Sequence, residues 1–137
     1  HVFLMLFILL FIHLPMVYLG FSLAREAELL SLFFLLAVFW DFLWFVCNPH
    51  FGLSRFRPAH VWWFKSWLLG LPSSYFIGVA LSLGIYLAGG LLPGATAWHE
   101  RMTRWGMVFA LFVLPTIATI AVTSIGSRRR LTVPQAD

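Results

Sequence analysis

Phe39–Leu71 reads FWDFLWFVCNPHFGLSRFRPAHVWWFKSWLLGL, and this stretch decides the fold because a strongly apolar run meets water within it and the chain turns back. It holds Asp41, two of the five histidines, three of the nine cationic residues and five of the seven tryptophans. Extended back to Leu29, the run ending at Cys47 is long enough to cross a hydrocarbon core. Asn48-Pro49-His50-Phe51-Gly52 then stops the helix, since proline forbids continuation and glycine permits a tight bend. Beyond it Pro58 suits a helix start, Trp62, Trp63 and Trp67 favour the headgroup level, and Lys65 can snorkel toward water or anionic lipid. Segment 58–70 is too short to span, so it is predicted as a short Trp-rich interfacial helix anchored by Trp62, Trp63, Lys65 and Trp67.

The remainder of the chain agrees with a lipid solvent. Of its 137 residues 61% are apolar and 10% charged, too little polar surface to cover a water-soluble globule of this size. Apolar runs and turn signals place spans at about 2–24, 29–47, 73–92 and 105–125. The expectation is one all-α integral membrane domain over 1–137, a four-transmembrane-helix bundle. Residues Ala24 to Glu28 are expected to be the turn of a helical hairpin between the first two spans. Ala95 to Arg104 is expected to be a short polar connection before the fourth. Cations divide as Arg55, Arg57, Lys65 and Arg128–Arg130 on one side against Arg25, Arg101 and Arg104 on the other. The positive-inside rule then places both termini in the cytoplasm, in a bacterial inner or intracytoplasmic membrane. The net charge of +4 comes from residues flanking spans and does not read as a nucleic-acid surface.

Asp41 is the sharpest residue. A carboxylate about 10 Å from the end of a span costs about 2.5–3.5 kcal/mol on insertion scales unless it is paired, protonated or facing water. It is expected to face the bundle interior, with Trp40 and Trp44 as an aromatic wall and His13, Lys65, His60 or Arg57 as its partner. Asp41 and His13 are the candidates for handling a proton or a ligand; the competing reading of each is a satisfied interior polar group. In the third span Ser74, Gly78 and Ser82 form a ridge of small residues on which another helix can pack closely.

Several chemistries are unsupported. There is no phosphate-cradling glycine loop, Cys-x-x-Cys, His-Glu-x-x-His or serine elbow, and no catalytic residue or metal site is expected. The lone Cys47 reads as a packing residue. With 18% aromatic residues, the chain offers broad surfaces to lipid, to other transmembrane subunits and to a pigment of carotenoid or chlorophyll type. The expectation is therefore a non-catalytic accessory subunit of a larger membrane complex, photosynthetic or respiratory. The alternative is a small stand-alone transporter or enzyme using Asp41 and His13.

Overall fold

The computed structural model describes residues 2–131, with side chains from 3 to 125. The described chain is mainly helical, in the order α1 (Val2–Leu19), α2 (Leu23–Cys47), α3 (Ser73–Gly89) and α4 (Trp98–Leu131). A two-stranded antiparallel ladder, β1 (Trp67–Leu68) and β2 (Leu71–Pro72), precedes α3.

Two helical stretches, Leu23–Cys47 and Trp98–Ile125, are long and apolar enough to cross a membrane. The bundle of four full spans is not supported. Helices α1 and α3 have 18 and 17 residues, a rise of about 27 and 25 Å against a hydrocarbon core of about 30 Å. Glycine sets both limits: Gly20, at φ +76°, turns the chain after α1, and α3 runs out at Gly89-Gly90.

Two connections differ from their sequence reading. The first lies at Gly20–Ser22, and the charged residues from Arg25 to Glu28 belong to the opening turns of α2. Arg25 is drawn into that helix because its guanidinium donates to the carbonyls of Leu19 and Gly20, capping α1. At the far end, α4 begins at Trp98, not Trp105. Glu100 favours the positive end of that helix and pairs with Arg104 one turn on, at 3.7 Å.

Helices α2 and α3 form the central pair, antiparallel and closely packed. The contact follows a seven-residue repeat, with Ala24, Ser31, Val38 and Phe45 on α2 facing Tyr75, Ser82 and Gly89 on α3, as in a coiled-coil seam. A Cβ on Gly78 would collide with Val38, and one on Gly89 would lie 2.7 Å from Ala27 Cβ. Gly78 and Ser82 therefore permit close approach, as expected. Ser74 does not, and is exposed. A strict four-residue step drifts about 40° around the helix each time, so the buried line alternates steps of three and four and passes through Tyr75 instead.

The Trp-rich interfacial helix is not present. Residues 58–70 form turns that lead into the β1–β2 hairpin, whose central residues Leu69 and Gly70 have φ +50° and +83°. Two consecutive positive-φ residues make a tight hairpin turn and cannot continue a right-handed helix. Packing supplies the second reason. Phe56 and Val61 enter a cluster with Phe45 of α2 and Tyr75 of α3, flanked by Phe64, Trp67 and Leu71. Val61 is 0% exposed, and a helix lying flat on lipid could not send so many side chains inward.

Candidate functional site

A recess lies where α2 meets this aromatic plug. Asp41, Trp44 and Phe45 are three and four residues apart on α2 and share a face, and Trp63 closes over them from the loop. These four residues line a cavity of about 390 Å³. Phe45 is 1% exposed and forms its floor, with the Trp63 indole near-parallel to its ring at a centroid distance of 6.3 Å. Trp44 stands edge-on to Phe45 at 5.0 Å. Trp40, expected in the wall, is about 100° around the helix from Asp41 and exposed; Trp63 takes its place.

The Tyr75 hydroxyl donates to Asp41 Oδ2 at 2.6 Å, from the first turn of α3. This is the interior partner, and it is neutral. None of the cationic candidates reaches the carboxylate: among the described residues no Lys, Arg or His nitrogen lies within 4.0 Å of Asp41. Arg57, His60 and Lys65 are exposed. The plug turns Val61 and Phe64 inward, and their charged neighbours stay in water, where no desolvation is incurred. Of the interfacial anchors, Trp62 is exposed, whereas Trp67 is half-buried and donates its Nε1 hydrogen to Phe64 O at 3.1 Å.

His13 lies in a separate place. Its Nε2 is 2.9 Å from Glu26 Oε1, and its Nδ1 is 2.5 Å from Leu9 O. Both ring nitrogens face acceptor oxygens, so the imidazole is held by a partner on each side. Glu26 and Asp41 are separated by about 22 Å of helical rise. His13 and Asp41 cannot work on one small substrate.

A second polar cluster was invisible in the sequence. Arg101, in the opening turns of α4, is 0% exposed. Its Nη1 donates to Glu28 Oε1 at 3.0 Å, its Nη2 donates to Tyr86 O, and its Cζ stands 4.3 Å from the Tyr86 ring centroid. The guanidinium fits because Gly89 and Gly90 have no side chain; a Cβ on Gly90 would be 2.9 Å from Arg101 Nε. Nearby, Ser31 and Ser82 Oγ are 2.9 Å apart, and Trp105 Nε1 donates to Ser82 Oγ at 3.1 Å. These contacts lock α2, α3 and α4 together.

Outside the recess, Ile77, Ala80, Leu81, Gly84, Ile85 and Ala88 line an apolar groove of about 440 Å³ along α3. Among the described residues no three of His, Cys, Asp and Glu gather as a metal site would require. Cys47 is exposed. Comparisons of the chain with protein-family models, curated proteins and solved structures found no match.

Proposed function

We propose that the protein is a non-catalytic accessory subunit that packs against a larger membrane complex. All four helices are embedded in this reading, α1 and α3 reaching across through local thinning of the bilayer and their flanking residues. The loop with Arg55, Arg57 and Lys65 shares the cytoplasmic side with both termini.

The outer side of α3 carries the reading. Ala80, Gly84 and Ala88 repeat every four residues in the open groove, and a Cβ at Gly84 would meet nothing within 4 Å. Small residues at this spacing let a second helix approach, and lipid tails or a pigment of carotenoid type fit the same apolar channel. Phe3, Phe7, Leu10, Val17 and Tyr18 on α1 and Leu111, Leu114 and Val122 on α4 extend that apolar exposure. The interior polar groups, by contrast, serve helix contacts.

The test is native isolation in mild detergent with lipid and pigment analysis, repeated for Gly84→Leu. The substitution has room in the isolated chain, so the variant is expected to fold but to lose its larger partner. An unchanged complex in Gly84→Leu, or a wild-type chain isolated alone, refutes the proposal.

A further inference from the structure

The geometry points to the Asp41 recess as a binding site for an organic ammonium group, of the tetraalkylammonium or choline kind. The inference goes beyond the accessory role and rests on the recess alone. The Asp41 side chain stands in a recess of about 390 Å³ whose other accessible walls are two indoles, with Phe45 buried behind them. Its hydrogen-bond partner, Tyr75, donates a proton but carries no positive charge. Among the described residues no cationic side chain comes within 4.0 Å to neutralise it. The site therefore combines an acidic side chain with aromatic walls and has no cationic side chain of its own within reach, the composition of a cation-binding box.

The lining selects the kind of cation. A metal ion needs about four to eight oxygen, nitrogen or sulfur ligands, and Asp41 is the one ionisable group in the lining. An alkylated ammonium needs no such set. Its charge is spread over methyl groups that lie against ring faces, and one carboxylate completes the balance. Trp44 and Trp63 are each about half-exposed, so a ligand can enter the recess past them. A choline headgroup and a free quaternary amine share this chemistry.

Tetramethylammonium is the probe, titrated against the full chain in neutral maltoside micelles and followed by ligand-observed NMR. Saturable binding is expected for the wild type. Asp41→Asn keeps an acceptor for Tyr75 and removes the charge, so it should weaken binding at least about tenfold; Trp44→Leu should weaken it severalfold. Tyr75→Phe leaves the carboxylate and both indoles, and should bind as well as the wild type or better. Far-UV circular dichroism and thermal melting confirm that each variant is folded. In a second arm, native mass spectrometry from nanodiscs of phosphatidylcholine, phosphatidylethanolamine and phosphatidylglycerol tests the source. Retention of phosphatidylcholine by wild type and not by Asp41→Asn supports the site with a lipid headgroup in it. Tetramethylammonium binding without lipid retention supports it with a soluble amine. No saturable binding, or equal binding by wild type and Asp41→Asn, overturns the inference and leaves Asp41 as a hydrogen-bonded helix pin.

Discussion

Replacing Arg101 with methionine tests whether the buried guanidinium holds α4 to the α2–α3 pair. Methionine keeps most of the stem and removes three interactions. The contact over the Tyr86 ring contributes about 1–2 kcal/mol when desolvated, and the charge-assisted bond to Tyr86 O about 1.5–3 kcal/mol. Truncating one member of a buried ion pair costs about 3–5 kcal/mol where both ends are buried. Here the Glu28 side chain is 37% exposed, so water compensates it in the variant and that third contribution falls to about 1 kcal/mol. Recovered desolvation of Arg101, including an Nε that has no partner among the described residues, offsets part of the total. The net expectation is a loss of about 3 kcal/mol. Glu28→Gln keeps an acceptor but strands the guanidinium, with an expected loss of about 2 kcal/mol. The double variant should lose less than the sum, because the second change no longer strands a charge. Equilibrium unfolding in mixed detergent micelles measures all three against the wild type. An Arg101→Met variant within about 0.5 kcal/mol of wild type, or strict additivity in the cycle, refutes the clamp.

Three further outcomes follow from the packing. Gly78→Ala should destabilise the α2–α3 pair by about 1–3 kcal/mol through its collision with Val38, with recovery in Gly78→Ala/Val38→Ala; Gly84→Ala is the unaffected control, and equal melting of both single variants would show that the seam is loose. Ser82→Ala should cost about 1 kcal/mol, more than Ser31→Ala, because it strands both Ser31 and the Trp105 N–H; the reverse order in chemical unfolding would contradict the place of Ser82 between Ser31 and Trp105. Leu69→Asn should raise the melting temperature, since asparagine tolerates the positive φ that leucine holds at a cost of about 1 kcal/mol; a fall would mean that Leu69 gains more from lipid than it loses in strain.

How much of this was legible depended on whether neighbours in sequence or neighbours in space decided a feature. The apolar runs and the stop at Asn48-Pro49 are local, and the sequence reading found the helix before that stop and the apolar helix from Ser73. Gly78 and Ser82 were legible because a small residue on an apolar helix has few uses other than close contact. The line through Tyr75, Ser82 and Gly89 was also present, but four-residue spacing drew attention to Ser74 and away from it. The plug was misread for a physical reason: Trp62, Trp63 and Trp67 look like interfacial anchors individually, and only Phe45 and Tyr75, distant in the chain, show that Val61 and Phe64 belong beneath them. Arg101 was read as a topology charge because nothing local distinguishes an arginine in water from one lying over two glycines. Asp41 was expected to find a cation for the same local reason, and its partner proved to be a phenol one helix away.

The seven-residue seam between α2 and α3 has a degeneracy built into it. A displacement of one repeat, about 10 Å along the axis, would again set small and apolar residues opposite one another. What distinguishes the two alignments is the Ser31–Ser82 pair and the fit of Gly78 to Val38 within the seam, together with a contact at each end. Sliding would withdraw Phe56 and Val61 from between Phe45 and Tyr75 at one end, and would carry Gly89-Gly90 out from under Arg101 at the other. The two helices thus behave like a scale with repeating graduations, read at a single setting because a stop is fixed at each extremity. Loosening one stop leaves the other and the interior serine pair to hold the setting.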